Sequence, residues 1–138
     1  MYSLTYVSSA VVPFTTQALR DLLSQCCKHN ERDGITGMLL YKDGNFMQVL
    51  EGEESMVRSA HLRIHSDPRH RGLITMLKDP IAERQFPQSP MGFRDLSANA
   101  RASSDGYGDF LNIPLPDYPR DAPPSRVMRL LWTFKESM

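Results

Sequence analysis

Residues 35–52, ITGMLLYKDGNFMQVLEG, decide the fold because they predict two strands joined by a tight turn. The first half is nearly all apolar, which is typical of a strand buried on both faces, and Asp43-Gly44 is a strong hairpin signal. In the second strand, alternation puts Phe46, Gln48 and Leu50 on one face. A buried amide without partners costs about 1–3 kcal/mol, so the sequence predicts that something hydrogen-bonds Gln48.

A strand and a helix are predicted before this hairpin. Tyr2 to Ser8 alternates and is rich in residues that favour strands. Pro13 and the pair Thr15-Thr16 then indicate a helix start, at which either threonine could cap. The apolar residues that follow lie at helical spacing, and they are Leu19, Leu22, Leu23, Cys26 and Cys27.

A second helix and two further strands are predicted after the hairpin. Glu53 and Glu54 suit the first turn of a helix that runs to about Ser66, where Asp67-Pro68 would stop it. Gly72 to Lys78 and Met91 to Leu96 have the composition of strands. The order of elements fits an α+β, ferredoxin-like sandwich, in which a mixed five-stranded sheet carries two helices on one face. The slot between two such helices is an ordinary ligand site.

The chain of 138 residues is predicted to form one core at 1–96, followed by a C-terminal loop and capping helix at 97–138 on the other face of the sheet. No separate effector domain is expected. Lys plus Arg equals Asp plus Glu at 16 each, so direct nucleic-acid binding is not predicted. No apolar run approaches membrane-spanning length and no signal peptide is recognised. The only cysteines, Cys26 and Cys27, are sequence neighbours, which favours a reducing, cytoplasmic setting.

Four pieces of the sequence stand out by their order and spacing. They are Leu4-Thr5-Tyr6-Val7-Ser8, then Asn30 followed by Gly34-Ile35-Thr36-Gly37, then Phe46-Met47-Gln48-Val49-Leu50-Glu51-Gly52, and finally Asp67-Pro68-Arg69-His70. Together they resemble the BLUF domains, which are blue-light sensors that use FAD, and the resemblance covers roughly residues 2–96.

The resemblance implies a photochemical switch and not a catalytic site. Tyr6 would donate an electron and a proton to excited FAD, which is held noncovalently. Gln48 would bridge the Tyr6 hydroxyl and the flavin N5 and C4 carbonyl edge, and it would rearrange its hydrogen bonds. Met91 matches a methionine beside the glutamine and would relay the signal. Rotating or tautomerising an amide exchanges donor for acceptor at nearly constant shape, which suits a bistable element.

The resemblance also implies which residues bind the cofactor. Asn30 would hold the C4 carbonyl and N3 side of the ring. The ring pocket would be lined by Leu22, Ile35 and Phe46. The pyrimidine end or the phosphate tail would lie near Arg63, Asp67 and His70, with His29 and Arg69 as weaker candidates for the same work. No metal site is predicted.

One position departs from the family. Ser89 stands where the family often has a tryptophan, and the only tryptophan is Trp132 in the predicted C-terminal helix. Two alternatives stay open: a relative that binds flavin without photoactivity, or a ferredoxin-like ligand-binding module or enzyme without flavin. Output is expected to pass to an unidentified partner protein, and a homo-oligomer is expected through the C-terminal helix and the outer sheet face.

Overall fold

The structure, a computed structural model, describes residues 1–87, 90–95 and 130. It has five strands and two helices in this part of the chain. They are β1 Tyr2–Ala10, α1 Thr16–Asp33, β2 Thr36–Lys42, β3 Asn45–Gly52, α2 Glu54–His65, β4 His70–Pro80 and β5 Gly92–Asp95.

The strands form one mixed sheet in the order β4-β1-β3-β2-β5. All neighbours are antiparallel except β2 and β5, which run parallel. Helices α1 and α2 pack on one face, which confirms the predicted α+β, ferredoxin-like sandwich. Strand β3 lies at the centre of the sheet, so Gln48 has a strand on either side, with Tyr6 opposite it on β1 and Leu39 opposite it on β2.

The β2–β3 hairpin forms as the sequence predicts. Asp43 and Gly44 both have positive φ, at 50° and 88°, which is the backbone that a two-residue hairpin turn requires. Gly37 fixes the close approach of the two strands, because a Cβ there would lie 1.9 Å from the carbonyl oxygen of Val49. No other residue type fits at that position without moving one strand.

The cap residues of α1 place its last turn beside the sheet. Thr15 is the N-cap, and its hydroxyl accepts a hydrogen bond from the Ala18 amide at 3.0 Å. Gly34 ends the helix in the left-handed region at φ 69°, which glycine adopts without steric cost. Its amide points back to the carbonyls of Asn30 and Glu31, so Asn30 lies in the final turn.

The sheet buries apolar side chains on both faces. The helix-side cluster includes Leu4 and Tyr6 of β1, Leu50 of β3, and Leu23 and Val57 of the two helices. The opposite, outer cluster consists of Met38, Leu40, Met47, Val49, Leu77 and Phe86. The alternation predicted for β1 and β3 is therefore confirmed.

The predicted C-terminal loop and capping helix lie outside the described residues, apart from Leu130. That residue is helical, half-buried and packed against the outer cluster. The predictions for Ser89 and Trp132 also fall outside the described residues. Among the described helices, none combines the length and the apolar character needed to cross a bilayer.

Candidate functional site

A cavity of about 220 Å³ lies between α1 and α2, above the sheet. Its floor is formed by residues of the three central strands: Tyr6, Ser8, Leu39, Phe46 and Gln48. One wall comes from α1, where residues at helical spacing point the same way: Leu22, Gln25, Cys26, His29 and Asn30. Its other wall comes from α2, the turn after it and the first residue of β4: Arg63, Ile64, Asp67, Arg69 and His70. Phe14 completes the lining.

Three buried side chains form a hydrogen-bonded chain along the floor. The Tyr6 hydroxyl donates to Oε1 of Gln48. The Gln48 amide nitrogen donates to the sulfur of Met91 at 3.5 Å. All three side chains are at most 4% exposed. Both the oxygen and the nitrogen of the buried Gln48 amide therefore have a hydrogen-bond partner. The Met91 side chain lies on the helix side of the sheet, as the cavity does.

The Tyr6 phenol keeps its proton at neutral pH. Burial raises its pKa well above the ordinary value, with Cys26 and Asp67 adding to the shift. Because the phenolic hydrogen points at Oε1 of Gln48, that carbonyl is the described group best placed to receive the proton if Tyr6 is oxidised. His61 and His70 flank the Tyr6 ring at centroid distances of 6.1 and 6.3 Å.

Asn30 ties α1 to the segment that carries Met91. Its side chain is 2% exposed, and its amide nitrogen donates to the carbonyl of Pro90 at 2.9 Å. The Cys27 thiol adds a longer contact to the Met91 carbonyl at 3.9 Å. The last turn of α1 therefore fixes where the backbone enters β5.

The rim of the cavity carries paired charges. Arg69 binds Asp67 at 2.5 Å and the Gln25 side chain at 3.2 Å. The hydrogen bond from Arg69 lowers the pKa of the Asp67 carboxyl, and this effect exceeds the opposing effect of its burial. Arg63 makes a longer ion pair with Asp33, at 3.8 Å, and is 36% exposed. The Nε2 of His70 donates to the Ile64 carbonyl at 2.6 Å.

Ser8 presents a buried hydroxyl to the cavity with no hydrogen-bond partner among the described residues. The side chain is 4% exposed. A buried hydroxyl without a hydrogen-bond partner costs free energy, so a ligand with a polar atom near Ser8 would be favoured in the cavity. The apolar side chains of Leu22, Leu39 and Phe46, together with one unpartnered hydroxyl and a polar amide, fit a flat aromatic ligand with polar atoms on its edge, such as a flavin ring.

The structure brings together nearly all the residues predicted to bind the cofactor. Leu22, His29, Asn30, Phe46, Gln48, Arg63, Asp67, Arg69 and His70 all line the cavity. Ile35, also predicted to line the ring pocket, does not line this cavity. Its side chain is 1% exposed and belongs to the core beneath, because β2 begins only at Thr36 and Ile35 packs against Gly52 instead.

Six lining residues were not predicted as site residues: Ser8, Phe14, Gln25, Cys26, Leu39 and Ile64. Ser8 shares a strand face with Tyr6, and the helical residues Gln25 and Cys26 lie one turn from Leu22 and His29. Periodicity from the predicted residues could therefore have found these three. Leu39 depends on the pairing of β2 with β3, which sequence spacing alone does not give.

His61 and His65 have the i, i+4 spacing that could hold a metal. Their rings lie 6.3 Å apart, and Nε2 of His61 contacts the Thr75 hydroxyl at 3.4 Å. In the described part of the chain no group of three or more potential metal ligands occurs.

Comparison with known proteins gives one family. The model of the family described as "BLUF: Sensors of blue-light using FAD" matches residues 1–92. The photoactivated adenylate cyclase subunit beta of Euglena longa is 38% identical over 85 residues, which is 62% of this chain and 10% of that protein. The chain therefore spans about a tenth of the length of that curated relative.

Solved structures give the same result over most of the chain. Klebsiella pneumoniae BlrP1 is 30% identical with a TM-score of 0.74, and the match covers 97% of this chain and 33% of that one. The dark-state structure of BlrB, a BLUF protein, is 27% identical with a TM-score of 0.70 and is covered to 96%, against 99% of this chain.

Proposed function

Because this chain belongs to the BLUF family of blue-light sensors, we propose that it binds FAD noncovalently in the cavity between α1 and α2 and switches through Tyr6 and Gln48. The observation that carries this proposal is the buried chain from the Tyr6 hydroxyl through the Gln48 amide to the Met91 sulfur. It lies along the cavity floor, where a ring would rest.

The cavity residues fit a flavin ring. Leu22, Leu39 and Phe46 supply apolar surface for its faces. Gln48 and the unpartnered hydroxyl of Ser8 supply polar groups for its edge. We assign Asn30 to the same edge, since it is buried, polar and on the wall beside Gln48.

We also propose that the bound flavin is FAD and not a shorter flavin. It is supported by the cations at the cavity rim, because a diphosphate carries negative charge out of the ring pocket. Arg63 is the better candidate for the phosphates, since its ion pair is long, whereas Arg69 is held by Asp67 and Gln25. His29 and His70 lie near the same rim.

The chemistry divides between cofactor and chain. A bound flavin would supply blue-light absorption and an excited state that accepts an electron and a proton. Tyr6 would be the donor, with its proton leaving along the bond to Gln48, and recombination would return the electron and the proton to Tyr6. Gln48 then exchanges donor and acceptor ends at nearly constant shape, which changes what it offers to Met91.

Met91 relays that change, and the output passes to another protein. The Euglena relative is named as an adenylate cyclase subunit, but this chain spans about a tenth of it, so the partner stays unidentified. We also propose self-association through the C-terminal helix and the outer sheet face, and a cytoplasmic location. No net reaction on a substrate is part of the proposal.

An absorption spectrum before and just after blue light tests the switch. We expect a flavin spectrum with a small red shift that decays in darkness. Gln48→Leu and Tyr6→Phe should keep the flavin and lose the shift. Tyr2→Phe is the matched control, because Tyr2 lies on the same face of β1 and its hydroxyl contacts only Arg58 among the described residues.

The outcomes of this experiment distinguish the proposed switch from its two alternatives. A yellow protein without any shift would identify a relative that has lost photoactivity. A colourless protein, even after incubation with FAD, would favour a ligand-binding module without flavin. A normal shift in Gln48→Leu would refute the assigned role of Gln48. Chromatography of the flavin released by acid then distinguishes FAD from FMN.

A further inference from the structure

Glu51 is a buried acid that the photochemistry proposed above does not use. It follows Gln48 on β3, faces the outer side of the sheet and is 0% exposed. Its two carboxylate oxygens accept hydrogen bonds from the backbone amides of Gln85, at 2.7 Å, and Phe86, at 2.8 Å. Burial raises the pKa of this carboxyl, and the two amide bonds oppose the rise.

Glu51 therefore holds the beginning of the segment Arg84–Met91, which joins β4 to β5. Arg84 reinforces that hold through its own guanidinium. One nitrogen donates to the Thr36 hydroxyl at 2.8 Å and to the Glu51 carbonyl at 3.0 Å, and the other donates to the Gly34 carbonyl at 2.8 Å. The Phe86 side chain is 8% exposed and packs in the outer cluster.

The far end of the same segment reaches the switch. The Pro90 carbonyl accepts from Asn30, and the Met91 sulfur accepts from Gln48. The segment thus begins on the outer cluster and ends in the helix-side cluster. Since a short stretch of chain has limited reach, fixing Phe86 restricts where Met91 can lie. Gln48 and Glu51 belong to one strand, so β3 contacts both ends of the segment.

We propose that Glu51 is a positioning residue for the switch: by holding the amides of Gln85 and Phe86, it keeps the Met91 sulfur against the Gln48 amide and so sets how long the lit state lasts. The second half of this statement rests on the proposed function. The first half concerns the dark protein alone and can be tested without light.

Two substitutions separate the hydrogen bonds from the bulk of the side chain. Glu51→Gln keeps the shape and one acceptor oxygen, but it turns an N–H group towards a backbone amide. Glu51→Ala removes both acceptors, so Glu51→Gln remains the decisive variant if Glu51→Ala fails to fold. Glu54→Gln is the control, because Glu54 is 55% exposed and, within the described part of the chain, its ion pair is with Arg58 on its own helix.

The first measurement is the NMR signal of the Met91 methyl group in protein labelled with methyl-¹³C methionine, kept dark. Met91→Leu identifies the signal among the eight methionines. We expect the signal to shift or broaden in Glu51→Gln and to stay in place in Glu54→Gln. An unchanged Met91 signal in Glu51→Gln would overturn the positioning role whether or not the protein responds to light.

The second measurement is the rate of dark recovery after blue light. Losing one or both buried hydrogen bonds should speed recovery by roughly threefold to tenfold. The effect should disappear when Glu51→Gln is placed in a Met91→Leu background, because the side chain through which Glu51 acts is then gone. An equal acceleration in both backgrounds would show a general loosening of the fold and overturn the proposal.

These results also separate this inference from the proposed function. If the wild-type protein shows no red shift, the proposed function fails, and the methyl signal still decides the positioning role. If the wild type responds and Glu51→Gln recovers at the wild-type rate, only the inference fails.

Discussion

Replacing Ser8 by alanine should have opposite effects on the flavin-free and the flavin-bound protein. The Ser8 hydroxyl is buried, lines the cavity and has no partner among the described residues. Without a ligand it is an unsatisfied polar group, which costs on the order of 1 kcal/mol. Ser8→Ala should therefore leave the free energy of unfolding of the flavin-free protein unchanged or raise it by up to about that amount.

With flavin bound, the same hydroxyl gains a partner and its removal becomes unfavourable. A typical hydrogen bond contributes about 0.5–1.5 kcal/mol, which corresponds to a Kd for flavin roughly 2- to 13-fold higher in Ser8→Ala. Because Ser8 pairs with Phe46 on the cavity floor, the contact should involve the ring. The loss should then be the same for riboflavin, FMN and FAD, which share that ring.

Urea unfolding of flavin-free protein and titration by quenching of flavin fluorescence measure the two effects. Ser3→Ala is the matched control, because the Ser3 hydroxyl is also buried without a described partner but faces the outer side of the sheet. It should leave the Kd unchanged. An unchanged Kd in Ser8→Ala would refute a bond from this hydroxyl to the cofactor. A clear loss of stability in flavin-free Ser8→Ala would show that the hydroxyl already has a partner.

Three further predictions follow from the packing and the charges. Gly37→Ala should lower the free energy of unfolding by more than about 3 kcal/mol, because the new Cβ meets the Val49 carbonyl oxygen at 1.9 Å; near-wild-type stability in urea would contradict the β2–β3 register. Because the pKa of Tyr6 is raised in the folded protein, its contribution to stability is present below about pH 10 and is lost above it. In urea unfolding between about pH 9 and 11, the wild type should therefore lose stability more steeply than Tyr6→Phe. The pKa of Asp67 is lowered beside Arg69, so its contribution to stability is present above about pH 4 and is lost as the pH falls. Asp67→Asn should therefore make stability depend less on pH on the acid side. An unchanged dependence in this variant would argue against the Asp67–Arg69 ion pair.

The fold could be predicted from the sequence because its main signals are local. The Asp43-Gly44 turn fixes a hairpin within a few residues, and the alternation of β1 and β3 assigns each side chain to a face. The boundaries were less predictable. β4 was predicted at Gly72–Lys78, but it runs from His70 to Pro80, because pairing with all of β1 extends it at both ends. That pairing is a tertiary contact, and the composition of β4 does not contain it.

Most residues that line the cavity could be predicted for a different reason. Most came from the resemblance to a family, and the structure adds the geometry that brings them to one cavity. Ile35 is the one predicted ring-pocket residue that does not line the cavity. It is apolar and near the ring-pocket residues in sequence, but the helix ends at Gly34 and the strand starts at Thr36, so its side chain falls between the two layers.

The resemblance matches Met91 to a methionine beside the glutamine, but the bond from the Gln48 amide to the Met91 sulfur could not be predicted from the sequence. Met91 lies outside the described strands and helices, so no periodicity indicates the direction of its side chain. In the structure the Glu51 carboxylate holds the amides of Gln85 and Phe86 on the outer face, and Asn30 holds the Pro90 carbonyl on the helix face. Since a buried carboxylate is costly unless its oxygens are bonded, Glu51 favours the arrangement in which these two amides reach it. Glu51 lies on the opposite face of the sheet from the cavity, and by the proposal above it nevertheless restricts the position of Met91, which contacts Gln48.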